Sequence, residues 1–270
     1  MVSVILVNYN SGEFLRKCIQ SLFEITKGVS FEVILVDNAS ADDSRELVKR
    51  EFPQVHLIES NVNLGFSRGN NLGVQKARGS KFLFLNTDTY LVEDSVSVLS
   101  NFVDEQSAVA VVGPRMTFED GSYQLSAGRL PGFAVEMIDK MRYVVDRKLH
   151  SIIAPINQIL SSATREVGWV TGACMMVRRD VFEQVKGFDE NIFMYYEDKD
   201  LCKRILDTGG KIIYLPHTSV VHLLGGSSAT TTGATVNKHY RESQLHYYRK
   251  HHRGLHSSLV EAYLKITGKI

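Results

Sequence analysis

The first half of the chain alternates short, unbroken apolar runs with segments whose apolar residues recur at helical spacing. Val2–Val7 is a β-branched run that stops at Asn8-Tyr9-Asn10, and Gly12–Ile25 follows with Phe14, Leu15, Cys18 and Leu22 on one face. Phe31–Val36 is the next run and stops at Asp37-Asn38; Asp42–Phe52 then reads as a helix that Pro53 ends. Val55–Ile58, a helix around 67–77, the run Phe82–Leu85, a helix over Glu93–Val103 and the run Ala108–Val112 repeat the theme. Runs that are apolar at every position suit strands buried on both faces, with the helices as cover. The pattern predicts an α/β fold with a mostly parallel, Rossmann-like sheet flanked by helices.

Ligands of such a sheet collect beyond the carboxyl ends of its strands. The first, second and fourth strands end in Asn8-Tyr9-Asn10, Asp37-Asn38 and Asn86-Thr87-Asp88, so three polar clusters converge on one edge. After Gly113 the alternation breaks. Phe118–Gly128 carries Asp120-Gly121 turn chemistry and predicts a hairpin or loop, and Gly132–Leu160 is mixed, with helical character. Val167–Val177 predicts a strand, followed by a helix from Asp180 and another reaching about Asp207. Short strands near Ile212–Leu215 and Ser219–His222 and a terminal helix over Val236–Arg253 complete the pattern.

Composition narrows the function classes. With 270 residues, 44% hydrophobic and 23% charged, the chain can bury a large core. A net charge of +1 gives no general attraction to nucleic acid. The charge is uneven, however: Asn237–Ile270 holds seven Lys/Arg and five His against two Glu. Cys18, Cys174 and Cys202 lie far apart without metal-like spacing, which predicts reduced thiols and a cytoplasmic setting. Met1–Val7 is apolar but too short to span a bilayer and lacks a basic leader, so the expectation is a protein that at most touches a membrane.

Five places could carry chemistry. Asp88, just past a strand end, suits Mg²⁺ or Mn²⁺ bridging to a diphosphate, although Asn86-Thr87-Asp88 equally suits a turn or helix cap. Asp37 can accept hydrogen bonds from a base or ribose, or cap the following helix. Gly65-Phe66-Ser67-Arg68 opens a helix with small residues and one guanidinium, a good diphosphate seat that is neither GxGxxG nor a P-loop. Glu197-Asp198-Lys199-Asp200 begins a helix, where carboxylates are favoured by the dipole and where one could act as a general base. His222 closes a strand before Gly225-Gly226-Ser227-Ser228 and could complete a metal shell. The tail from His239 to Arg253 interleaves tyrosines with cations, which predicts packed tyrosines and an exposed basic rim able to meet an anionic membrane surface.

In order and spacing these residues resemble the inverting family-2 glycosyltransferases of the GT-A fold, especially the bacterial rhamnosyltransferase-like branch. The resemblance runs from about Val2 to Gly254. One block joins Ser3–Asn10, Val36-Asp37-Asn38-Ala39-Ser40 and Asn63-Leu64-Gly65-Phe66. The other runs from Thr171-Gly172-Ala173 through Gly187-Phe188-Asp189-Glu190 to Glu197-Asp198-Lys199-Asp200-Leu201-Cys202.

The resemblance implies a catalytic domain at 1–225, divided into a nucleotide-binding half (1–115) and an acceptor-side half (116–225), with a helical extension at 226–270. It places Tyr9 and Asp37 in a nucleobase pocket and Arg68 near the donor diphosphate, with Asn38 and Asn86 as further donor-binding residues. Asp88 matches the last acid of the DxD metal motif, whose first acid is Asn86 here, and His222 matches a histidine that can join the metal. Asp198 matches the catalytic base of the ED pair, while Trp169, Thr171, Gly172 and Glu197 line the acceptor or sugar pocket. The implied reaction is inverting transfer of a sugar, with dTDP-rhamnose as the donor suggested by the branch, to a saccharide or lipid-linked saccharide, aided by a divalent cation. A sugar nucleotidyltransferase would need a Gly-rich loop with a cation at Asn8–Gly12, and a dinucleotide oxidoreductase would need GxGxxG; neither is there. A non-catalytic nucleotide-sugar-binding module would have no use for the Glu197-Asp198 pair.

Overall fold

The structure, a computed structural model, describes residues 1–132, 134–136, 138, 162–223, 233–252 and 254–266. Its first part follows the apolar runs closely: β1 (Val2–Asn8), α1 (Gly12–Ile25), β2 (Phe31–Asn38), α2 (Ser44–Glu51), β3 (His56–Ser60), α3 (Gly65–Val74) and β4 (Lys81–Asn86). Next come β5 (Thr89–Leu91), α4 (Ser95–Glu105), β6 (Val109–Thr117), β7 (Tyr123–Gln124), β8 (Ala127–Gly128), β9 (Arg165–Glu166), β10 (Trp169–Val170) and β11 (Cys174–Arg178). The remainder is α5 (Arg179–Gln184), α6 (Glu197–Asp207), β12 (Lys211–His222), α7 (Gly233–His251) and α8 (Leu255–Ile266).

The main sheet runs β3-β2-β1-β4-β11-β6-β12-β5. The first four strands of that order are parallel, as are β6 and β12. Between the two parallel groups lies β11, antiparallel to both β4 and β6. The apolar runs are continuous because alternate residues serve opposite cores. Leu83 and Leu85 of β4 join Leu15, Ile19 and Leu99 under α1 and α4, whereas Phe82 and Phe84 join Phe182, Phe188 and Leu201 on the other face.

Two expectations need correcting. Val167–Val177 is not one strand: Thr171–Ala173 form a turn between β10 and β11, which belong to different sheets. The strands expected at 212–215 and 219–222 are one strand, β12, with a register shift between Leu215 and Ser219 that lets it continue along β6. The mixed region 132–160 falls almost wholly outside the described residues, as does Gly225-Gly226-Ser227-Ser228. The expected hairpin forms, with β6 and β7 antiparallel around Asp120-Gly121.

The second core is unusually aromatic. Phe84 and Phe188 pack edge to face with ring centroids 4.8 Å apart, and Phe188 also contacts the rings of Phe182 and Phe66. Phe188 therefore ties the loop before α6 to β4, α3 and α5. Phe188→Ala should cost about 3–5 kcal/mol, read from urea unfolding; a loss below about 1 kcal/mol would contradict this packing.

Candidate functional site

The parallel register sets Asn8 beside Asp37 and Val7 beside Asn86, so the three strand ends predicted to converge do so. Asp37 is buried and braced from three sides. Asn8 Nδ2 donates to its Oδ2 at 2.9 Å, while Ser40 N at 3.0 Å and Arg45 Nε at 2.6 Å donate to its Oδ1. Burial alone would push this carboxyl up, but the hydrogen bonds from Ser40, Asn8 and Arg45 outweigh it and hold it below the usual carboxylate range. Asp37 is thus a strut between the ends of β1 and β2, and Tyr9, just past the end of β1, is partly buried. Asn38 Nδ2 donates to Gly65 O at 2.9 Å and fixes the start of α3 to the end of β2. Gly65 has φ +77, and a Cβ there would lie 2.5 Å from Phe193 O, so a side chain would drive α3 off the loop that leads into α6. Arg68, one turn along α3, is half exposed and donates from Nε to Glu190 O at 3.2 Å.

On the other side of the edge, β5 pairs antiparallel with β12 and sets His222 opposite Thr89. His222 Nε2 then lies 3.2 Å from Asp88 Oδ1, and both side chains are largely buried. The second ring nitrogen, Nδ1, is 2.7 Å from Gln124 Oε1 on β7. With Nδ1 donating to that amide, the Nε2 lone pair faces the Asp88 carboxylate. Two electron-rich atoms so placed are the donor set a hard or borderline cation would take. Among the described residues no group of three or more His, Cys, Asp or Glu side chains could hold a metal. Asp88 and His222 are the two side chains here that could contribute to a metal site.

The base candidate stands across a short turn. Asn86 N donates to Ala173 O at 2.9 Å, and Gly172 N, one residue away, donates to Asp198 Oδ2 at 3.3 Å. A Cβ on Gly172 would touch the Phe66 ring and Asp198 Cβ at 3.5–3.6 Å, so α3, the β10–β11 turn and α6 meet here. Thr171 closes the turn by accepting at Oγ1 from Ala173 N, at 3.3 Å. Trp169 faces Lys199, whose Nζ is 4.5 Å from the indole centroid. Glu197 and Asp198 are both buried in the first turn of α6, which Tyr195 and Tyr196 enter with φ of +68 and +66. Two successive non-glycine residues in the left-handed region are costly and mark a site held by its surroundings. Sequence reasoning missed Gln124 and Arg45. Gln124 lies on a two-residue strand beside the predicted hairpin, and only its register against Met116 points it at His222.

The glycosyl transferase family 2 signature matches residues 3–186, more than half of the chain. The chain belongs to glycosyl transferase family 2. A second signature, described as the N-terminal domain of galactosyltransferase, matches residues 163–224, the part that carries Trp169, Asp198 and His222. Similar relatives of this glycosyltransferase include the N-acetylglucosaminyl-diphospho-decaprenol L-rhamnosyltransferase of Mycobacterium tuberculosis, 26% identical over 93% of this chain and 85% of the relative. The rhamnosyltransferase WbbL of Escherichia coli K12 is 25% identical over 82% of this chain and 83% of its own length. The dTDP-rhamnosyl transferase RfbF of Shigella flexneri is 24% identical over 88% and 74%. In fold, the enzyme resembles the mannosyltransferase PcManGT of Pyrobaculum calidifontis, solved with GDP-Man and Mn²⁺ (TM-score 0.64, 17% identity, covering 97% of this chain and 69% of that one). It also resembles S. aureus TarS bound to UDP (TM-score 0.61, 16% identity, covering 96% of this chain and 68% of that one).

In this glycosyltransferase, burial first and the Asp198 charge second push the Glu197 carboxyl up to about 8. The folded protein then keeps a proton that the unfolded chain, with the ordinary glutamate value of 4.5, gives up at lower pH. Stability should therefore fall as pH rises from 4.5 to about 8. Glu197→Gln removes this loss, so its urea midpoint relative to the parent should climb across that window. A difference that stays constant with pH would contradict a buried, protonated Glu197.

Proposed function

We propose that this enzyme transfers rhamnose from dTDP-rhamnose, with inversion, to a hydroxyl of a saccharide or lipid-linked saccharide acceptor in cell-surface polysaccharide synthesis. The observation that carries the reading is the pairing of Asp88 and His222 on one side of the β10–β11 turn with Asp198 on the other, each bonded into that turn or its neighbours. Relatives whose names specify rhamnosyl transfer support the donor, and the diphospho-decaprenol in one name supports a lipid-linked acceptor.

Asp37, Asn38, Tyr9 and Asn86 form the wall for the nucleotide, with Arg68 at its rim. Asp88 and His222 are the residues that would hold a divalent cation, Mn²⁺ or Mg²⁺. Such a cation supplies charge neutralisation to the departing diphosphate. Trp169, Thr171, Gly172 and Glu197 bound the space on the acceptor side. Asp198 takes the proton of the acceptor hydroxyl as its oxygen bonds to the anomeric carbon, and the bond to the nucleoside diphosphate breaks with its electron pair leaving on that group. A single displacement inverts the anomeric centre and needs no carboxylate nucleophile.

No described helix is long and apolar enough to cross a membrane. A peripheral position on the cytoplasmic face would suit a lipid-linked acceptor, with exposed Lys238, Arg249 and Leu259 on α7 and α8 toward the lipid.

Asp198→Asn should lower kcat by roughly 10²–10⁴ and leave dTDP-rhamnose affinity, read by calorimetry, within about twofold; unchanged turnover would sink the assignment. Gln124→Ala should weaken Mn²⁺ binding in the presence of nucleoside diphosphate by about 10–100-fold, because the imidazole loses the bond that fixes its tautomer. Equal Mn²⁺ affinities for parent and variant would remove His222 from the metal shell.

A further inference from the structure

Glu197 and Asp198 are adjacent, buried carboxyls, and two such groups cannot both ionise cheaply. Their surroundings differ. Asp198 accepts from Gly172 N and from Lys199 N, the latter at 2.8 Å, and the Lys199 ammonium stands 3.6 Å from its Oδ1. Glu197 Oε2 is buried with no hydrogen-bond partner among the described residues. The lysine is itself held in place: its Nζ lies 4.5 Å from the Trp169 ring centroid and 4.9 Å from that of Tyr196. Two aromatic faces at that range attract a cation and limit its wandering.

Resting on the reading of Asp198 as the base, we propose that Lys199, clamped between Trp169 and Tyr196, is a positioning residue that assigns the negative charge of the buried pair to Asp198 and leaves the proton on Glu197. The other titratable groups around the pair are Asp200 and Cys202 on α6, Tyr240 and Tyr247 on α7, and Tyr195 before α6. None of these is a cation, so among these described groups Lys199 is the charge that adds to the Gly172 and Lys199 amides in favouring Asp198 over its neighbour. Burial works against the ammonium, but the charge and hydrogen bond of Asp198, together with Tyr240 and Glu197, outweigh it and hold Lys199 above the ordinary lysine range. Trp169 acts through this cation, which gives its indole a role in addition to lining the pocket.

Infrared difference spectroscopy near neutral pH tests the assignment without relying on turnover. The parent should show a protonated-carboxyl band that Glu197→Gln removes and Asp198→Asn does not. In Lys199→Met the proton should redistribute, so that part of the band disappears on adding Asp198→Asn. The same variant should lose about 10–100-fold in kcat with donor KM within about twofold, and Lys199→Arg should restore both the band pattern and the rate. If Lys199→Met fails to fold, Lys199→Gln serves as the neutral variant. A neutral variant whose band still depends on Glu197 alone would overturn the proposal, whatever its rate. Full turnover in Asp198→Asn would overturn the base reading instead, and the infrared result would stand apart from it.

Discussion

Two backbone hydrogen bonds in one three-residue turn fix the distance between the halves of the site. Asn86 N donates to Ala173 O, and Gly172 N donates to Asp198. The first attaches the turn to the end of β4, where Asn86-Thr87-Asp88 emerges; the second attaches it to the first turn of α6. A glycosyl transfer needs the leaving group held on one side of the anomeric carbon and the acceptor oxygen deprotonated on the other, within tolerances of a fraction of an ångström. Backbone groups in a short turn between two sheet strands are stiffer anchors than side chains on a loop. The antiparallel insertion of β11 between β4 and β6 is what puts the turn there.

Holding α6 against that turn requires the chain to enter it in an unfavourable conformation. Tyr195 and Tyr196 occupy the left-handed region in succession, and what stabilises them comes from α7. Tyr196 packs on Tyr240 and Tyr247, its hydroxyl donates to Glu136 Oε1 at 2.7 Å, and Ser243 Oγ donates to Met194 O at 2.8 Å. Charge adds to this. Burial would raise the Asp200 carboxyl, but the hydrogen bond from His251 and the charges of Arg204 and Lys250 outweigh it and lower it. Lys250 also reaches Asp189 at 2.6 Å, as does His246 at 2.9 Å. Part of the basic character of the tail, Lys250 with His246 and His251, is therefore turned inward onto Asp189 and Asp200, while Lys238 and Arg249 stay exposed beside the packed tyrosines. A buried carboxylate held by Arg204, Lys250 and His251 would be strongly destabilising if those partners were removed.

What could be read in the sequence follows from how local the controlling physics is. Val2–Val7, Phe31–Val36 and Phe82–Leu85 announce buried parallel strands because they are apolar without alternation, Ser3 and Glu32 apart, and the polar residues ending them fall on one edge by the rule of the fold. That Asp198 lies in a first helical turn and Asp88 just past a strand end was legible in the sequence. The place of β11 was not, because it depends on pairing with β4, some ninety residues away in the chain. Thr89–Leu91 is too short to show a period, yet it decides that His222 meets Asp88. Gln124 and Arg45 look like ordinary surface residues until register and the α2 position turn them inward toward His222 and Asp37.

The same distinction separates the two carboxyls of the base motif. In sequence Glu197 and Asp198 are equivalent acids in a helical first turn, and the helix dipole favours charge on both. Adjacent positions point about 100° apart, which sends one side chain toward the Gly172 amide and the Lys199 ammonium, while Oε2 of the other is buried without a hydrogen-bond partner among the described residues. Electrostatics then acts on that small difference with the leverage of a buried site, where an unsolvated charge is costly and a solvating dipole is worth several times its value in water. On the proposed reading, a chemically symmetric pair becomes a base and a neutral neighbour. The ring faces of Trp169 and Tyr196 matter because they hold the cation that breaks the symmetry, although they carry no charge themselves.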